Sequence, residues 1–217
     1  MNCSDEAMRH VHHTPLTAAS AALTSLIDGN ERFANGNATR PHQTAQWRRY
    51  LHDRQRPIAA VLGCSDSRVP TEIVFDVGLG DLFVMRTAGH IVDESVLGSL
   101  SYAIDVLNVS LVVVVGHENC GAIAAAVDEL THVKDPNSHI SPNYLVNSVA
   151  PAIRAASEGG HVNTGDVERR HLTNMSARLA ARCGPLRDGL TDQTLGLATM
   201  HYDLRSGKAE LLSVILP

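Results

Sequence analysis

The sequence predicts an α/β domain with a mostly parallel central sheet, an antiparallel C-terminal edge strand and flanking helices. Three observations predict it. Short continuous apolar runs at 58–63 and 111–115 read as strands buried on both faces. Segments of helical periodicity stand between the strand-like runs, and that alternation argues for parallel pairing through crossovers. The chain then closes on two strand-like runs, 195–204 and 210–215, joined by the turn signal Ser206-Gly207, which reads as a hairpin. With 217 residues, 44% hydrophobic and 19% charged, the chain is long enough and apolar enough for one well-buried core.

Thr14-Pro15 reads as an N-cap and first helical position. Leu16, Ala19, Leu23, Leu26, Ile27 and Phe33 follow at helical spacing, with Gly36 as the stop. Residues 35–44 read as loop, and Trp47 and Leu51 as part of a short second helix. The run 58–63 is the first strand and 82–86 the second. A helix opens at Asp93 or Glu94 and runs to about Leu107, with Val96, Leu100, Ala103, Ile104 and Leu107 on one face. The strand at 111–115 precedes a helix over 120–130, a proline-bearing loop over 131–142 and a helix over 144–157 ending at Gly159-Gly160. Val167, His171, Met175, Leu179 and Cys183 recur every four residues, so 165–183 reads as a longer helix stopped by Gly184-Pro185. Residues 14–217 are expected to form a single domain behind a flexible segment at 1–13.

Bulk properties exclude several function classes. A formal net charge of −5 and the lack of any Lys/Arg run give no basis for nucleic-acid binding. The longest apolar stretch, 111–115, is far too short to cross a bilayer, so no membrane contact is expected. The N-terminal residues lack the apolar centre of a signal peptide. Four cysteines in a chain of this length are too few for a disulfide framework, which favours reduced thiols and a cytoplasmic setting.

The chemistry concentrates in two places. Cys64-Ser65-Asp66-Ser67-Arg68 follows the first strand, and Gly116-His117-Glu118-Asn119-Cys120-Gly121 follows the third. Taken singly, Cys64 reads as a small buried residue and His117-x-x-Cys120 is a weak motif. Together they offer two thiolates and an imidazole, a donor set that suits zinc. No fourth Cys or His lies beside them, so the pattern is that of an openable, catalytic site rather than a closed structural one. Sites in open parallel sheets form beyond the carboxyl ends of strands where the strand order reverses, which would bring the three together if their strands are neighbours. Gly116 and Gly121 would allow tight turns around the second motif, and Cys120 would lie at a helix N-terminus that favours thiolate.

These two motifs at this spacing resemble the β-class carbonic anhydrases. The likeness extends to Gly29-Asn30-Glu31-Arg32-Phe33, Arg86-Thr87-Ala88-Gly89 and Tyr102, and covers nearly the whole chain from about residue 16. It implies a zinc lyase that hydrates carbon dioxide reversibly to bicarbonate and a proton by zinc-hydroxide attack. One Zn²⁺ per subunit would be held by Cys64, His117 and Cys120. The resemblance assigns Asp66 and Arg68 as the catalytic pair. Asp66 either binds zinc as a conditional fourth ligand or pairs with Arg68 and orients the attacking group. The subgroup it most resembles is the plant type, whose pocket residues fall on Gln55, Phe83 and Tyr102, with Gly121 beside them. In that family the glutamine and tyrosine reach the zinc of a partner subunit, which implies a homodimer or a dimer of dimers. The N-terminal helix is expected to pack on that partner. Val61 stands where another subgroup has the tryptophan of a regulatory bicarbonate site, so that regulation is not expected. His90 reads either as a proton shuttle or as a structural residue, and Cys3 and Cys183 as plain thiols. Two competing readings keep the zinc: hydrolysis of carbon disulfide or carbonyl sulfide on the same fold, and a non-catalytic zinc or redox-sensing protein.

Overall fold

The computed structural model describes residues 17–132, 143–157 and 162–217. The segment 1–13, Cys3, Thr14, Pro15 and Leu16, most of the loop expected at 131–142 and the Gly159-Gly160 stop lie outside those residues. The described chain is an α/β domain around a five-stranded sheet in the order β2-β1-β3-β4-β5. The strands are β1 (Ala59–Cys64), β2 (Leu82–Thr87), β3 (Leu111–His117), β4 (Gly196–Tyr202) and β5 (Ala209–Ile215). β1 pairs in parallel with both β2 and β3, and β3 in parallel with β4. β5 returns antiparallel on β4 through a turn at Gly207, whose φ of 74° is the left-handed conformation glycine adopts freely.

The α-helices among the described residues are α1 (Ala18–Ala34), α2 (Ala45–Tyr50), α3 (Thr71–Val74), α4 (Glu94–Asp105), α5 (Gly121–His132), α6 (Tyr144–Ser157), α7 (Thr164–Arg182) and α8 (Gly184–Thr191). Alternate strand residues feed opposite faces, as the two-residue period of a strand requires. Ala60, Leu62, Val112, Val114 and Leu197 join one core with residues of α4, α7 and α8. Ala59, Val61, Val113, Val115, Ala198 and Met200 join another with α1 and α3. A third cluster, under α5 and α6, contains Cys64 and Cys120. α1 lays Ala19, Ala22, Leu23 and Leu26 on this chain's own sheet, and its exposed residues are Ala18, Ala21, Thr24, Ser25, Asp28 and Glu31.

Three details differ from the sequence reading. The N-cap of α1 is Thr17, whose side chain accepts the Ser20 N–H at 3.2 Å; an N-cap needs only a hydroxyl one step before the helix, and Thr17 offers it as well as Thr14 does. Gly184-Pro185 ends α7 but also opens α8, because proline at the first turn loses no hydrogen bond. The four-residue α3 is too short to leave a periodic signal. Gly36, at φ 73° just past α1, acts as the expected stop.

Candidate metal centre

The order β2-β1-β3 means the chain leaves β1 to one side and returns on the other. The carboxyl ends of β1 and β3 therefore flank a point where connections diverge, which is where an open α/β sheet leaves a crevice. Cys64 is the last residue of β1, His117 the last of β3, and Cys120 lies just before α5. Asn119, at φ 51°, makes the tight step between the second and third of these. Neither neighbouring glycine does so, contrary to expectation. A Cβ on Gly116 would come within 2.9 Å of Leu172 Cδ2, so that glycine instead admits α7 close to β3. A Cβ on Gly121 would meet nothing within 4 Å.

The ligand atoms of Cys64, His117 and Cys120 lie within 4.8 Å of one another, and all three residues are buried. The two sulfurs are 3.9 Å apart; thiolates at about 2.3 Å from a tetrahedral zinc stand about 3.8 Å apart. His117 Nδ1 donates to the Glu118 carbonyl oxygen at 2.8 Å, which leaves Nε2 as the free lone pair. That Nε2 is buried and has no hydrogen-bond partner. A buried polar atom without a partner is costly, and a cation between the sulfurs would satisfy it. The residues thus fit a zinc ion.

Charge supports the same fit. Cys64 is drawn down to about 4, first by the bond from Cys120 and further by His117 and the amides of Asp66 and Gly89, against the opposing effect of burial. Those two amides stand 3.4 Å from its sulfur. Cys120 is pushed well up by the same shared proton and by burial, although the amides of Ala122 and Ile123 at the start of α5 pull it the other way. Two thiols sharing one proton hold one negative charge comfortably and two badly; a dication deprotonates both. Burial lowers His117, but Cys64, the Glu118 carbonyl and Asp66 outweigh it and raise its pKa.

Asp66 faces Arg68. The guanidinium donates from Nε to Oδ1 at 2.9 Å and from Nη2 to Oδ2 at 2.7 Å, and the Arg68 amide adds a third bond at 2.9 Å. Nη2 also reaches the Asn119 carbonyl at 3.0 Å, so Arg68 bridges the two motif loops. Hydrogen bonding from Arg68 holds the Asp66 carboxyl far below its usual range. Its Oδ2 is 3.9 Å from His117 Nε2, at the edge of the ligand triangle. Arg86, at the end of β2, donates to the carbonyls of Cys64 at 2.8 Å and Asp66 at 2.6 Å and so fixes the backbone of this loop.

The remaining sequence-selected residues are distributed more widely. Phe83 and Tyr102 are neighbours, with ring centroids 6.0 Å apart. Gln55 and Tyr102 line a cleft of about 700 Å³ with Leu51, Leu79 and Leu107. None of Cys64, His117 and Cys120 lines that cleft. His90 is 1% exposed, and neither ring nitrogen has a partner; burial holds its pKa well below the usual value, which is a poor setting for a shuttle to solvent. Cys183 is buried beside the Ser101 hydroxyl at 3.7 Å.

Two residues that motif reading passed over touch the centre from α7. Glu168 Oε1 accepts the Cys120 N–H at 2.8 Å. Burial raises its pKa, partly offset by the amides of Cys120 and Asn119. His171 Nε2 donates to the Gly89 carbonyl at 3.0 Å. The available signal was a histidine inside an otherwise apolar four-residue stripe, with a carboxylate one turn before it.

The Carbonic anhydrase family model matches residues 59–209. "Carbonic anhydrase 2" of Mycobacterium tuberculosis is 40% identical over 197 residues, 91% of this chain and 94% of that protein. "Carbonic anhydrase" of Mycolicibacterium smegmatis is 41% identical over 193 residues, 89% of this chain and 93% of that one. Among solved structures, the Coccomyxa β-carbonic anhydrase in complex with acetazolamide superposes with a TM-score of 0.66 at 21% identity, covering 89% of this chain and 87% of that one. A tetrameric β-carbonic anhydrase from Sordaria macrospora does so with a TM-score of 0.62 at 21% identity, over 89% and 98%. At such identities the structural likeness speaks to fold.

Proposed function

The chain belongs to the carbonic anhydrase family, carries the β-class fold and hydrates carbon dioxide reversibly to bicarbonate; we propose that it does so at one zinc ion per subunit, held by Cys64, His117 and Cys120. The observation that carries the zinc assignment is the convergence of three buried donor atoms within 4.8 Å. When bound, zinc supplies the Lewis acidity that lets water lose a proton near neutral pH and become a nucleophile. Two thiolates cancel the ion's charge, so that acidity is weaker here than with three neutral imidazoles, and activity should favour alkaline pH.

The chain's own groups do the rest. Arg68 keeps Asp66 anionic and turns its carboxylate toward the guanidinium, which favours Asp66 as an orienting group over its other reading as a fourth ligand. Asp66 Oδ2 accepts a hydrogen bond from the nucleophile and so aims a lone pair at the carbon. His117 Nδ1, committed to the Glu118 carbonyl, fixes the ring. Gln55, Phe83, Tyr102 and Gly121 form the substrate pocket in this reading. The open space over Gly121 and the cleft holding Gln55 and Tyr102 support it, with the cleft completed by a second copy of the chain. The working unit is then a homodimer or a dimer of dimers, in which any contact through α1 uses its exposed face of small and polar residues. Among the described residues no helix is long and apolar enough to cross a membrane. Thiolate ligation requires reduced cysteines, which supports a cytoplasmic location.

Neither competing reading is favoured. The two mycobacterial relatives are named carbonic anhydrase over nine-tenths of this chain, and the ordered Asp66–Arg68 pair has no role in a purely structural zinc site. The test is carbon dioxide hydration by stopped flow on protein of measured zinc content. Turnover proportional to zinc occupancy is expected, and zinc-loaded protein without turnover would refute the assignment.

A further inference from the structure

All three ligand-bearing segments rest on one turn of α7. Glu168 and His171, 4% and 0% exposed, stand three residues apart and so share a helix face. Glu168 holds the Cys120 amide at 2.8 Å. His171 holds the Gly89 carbonyl at 3.0 Å, and the N–H of that same glycine points at Cys64 Sγ from 3.4 Å. Gly89 sits at φ 65°, a conformation that directs its N–H and carbonyl to these two different partners. Between the two residues' reach, Leu172 packs against Gly116, immediately before His117. His90 packs on His171, with ring centroids 5.0 Å apart.

We propose that Glu168 and His171 are positioning residues of the metal centre, which tie the surroundings of the two cysteines to a common helix and thereby set how tightly the ion is retained. The role rests on the zinc reading of Cys64, His117 and Cys120. A carbonyl cannot donate, so His171 must carry its proton on Nε2 to hold Gly89. Its bond keeps the Gly89 peptide aimed, and the aimed N–H donates to the Cys64 sulfur. Glu168 acts on the other cysteine, bonding the amide at the start of α5. Neither side chain is placed on the metal.

The test follows zinc release from the holoenzyme to a chromogenic chelator, alongside the cysteine-to-metal charge-transfer band of the cobalt-substituted protein. Loss of partners around ligating residues typically costs about 10- to 100-fold in metal affinity, so Glu168→Leu and His171→Leu should release zinc faster by a comparable factor and alter the cobalt band. Glu168→Gln keeps the acceptor oxygen and should stay close to the parent protein. Ser176→Ala is the control for general destabilisation: it removes a buried 2.8 Å bond to the Thr199 hydroxyl elsewhere on α7. It should lower the melting temperature without changing release or spectrum. Release from both leucine variants no faster than from Ser176→Ala, or Glu168→Gln as leaky as Glu168→Leu, would overturn the positioning role. A parent protein that binds no zinc would overturn the metal centre itself and this role with it.

Discussion

Three side chains are the proposed metal ligands, and removing any one of them has the same expected signature. Cys64→Ser, His117→Ala and Cys120→Ser should each lose zinc and hydration activity together, with a lower melting temperature because metal binding adds to folding. Full zinc occupancy by elemental analysis in any one of them would count against that residue as a ligand. Arg68→Ala should behave differently. It frees Asp66 from a guanidinium 2.7 Å away without removing a ligand, so zinc content should hold while kcat/KM falls by about 10²-fold through misorientation. Unchanged kinetics would remove Arg68 from the machinery. Asp76 illustrates a charge that serves the fold instead. Burial pushes it up, but the Thr39 amide, Arg32, the Arg40 amide and the Thr39 hydroxyl outweigh that and hold it at about 2, below its ordinary 3.8. A carboxyl depressed on folding stabilises the fold above its unfolded pKa and loses that contribution as pH falls through the folded value. The melting-temperature gap between the parent protein and Asp76→Asn should therefore be constant from pH 7 to about 5 and close toward pH 2. A gap that persists at pH 2 would contradict this.

At the scale of elements, the segment Gly29-Asn30-Glu31-Arg32-Phe33 works as a joint. A Cβ on Gly29 would lie 1.9 Å from the Phe75 carbonyl oxygen, so only glycine lets α1 cross the end of α3. Asn30 donates to the carbonyls of Val74 at 3.0 Å and Gly207 at 2.9 Å and accepts the Ala209 N–H at 2.8 Å. Asn30→Ala strands these groups and should cost about 2–3 kcal/mol in denaturant unfolding; a loss within experimental error would refute the joint. The sequence displayed this segment only as a likeness, because Asn30's partners are backbone atoms up to 179 positions away. The same reason hid Glu168 and His171: a sequence shows which side chain is present but not which distant amide it will meet. The cluster of Cys64, His117 and Cys120 was legible because its chemistry is carried by side-chain identity in two short motifs at strand ends. Strands β1 and β3 were legible because burial on both faces leaves an uninterrupted apolar run, whereas α8 was hidden by a Gly-Pro pair that serves equally as stop and start. The proposed pocket draws Gln55 from the loop after α2 and Tyr102 from α4. Gln55→Ala and Tyr102→Phe should keep zinc and lower turnover, and normal kinetics in both would remove that assignment.

For the whole molecule, the separation between the ligand cluster and the cleft of Gln55 and Tyr102 bears on assembly. If a second copy brings that cleft to the zinc, light scattering should give the mass of a dimer or tetramer, and dilution to monomer should abolish hydration. A fully active monomer would refute the shared pocket. Everything else in the functional account depends on the metal and its donors, and X-ray absorption at the zinc edge of the purified protein reads them directly. The expected result is two sulfur scatterers at about 2.3 Å and one imidazole nitrogen at about 2.0 Å, with one further light-atom ligand. A shell of nitrogen and oxygen without sulfur, or one with more than two sulfurs, would contradict a centre built from Cys64, His117 and Cys120.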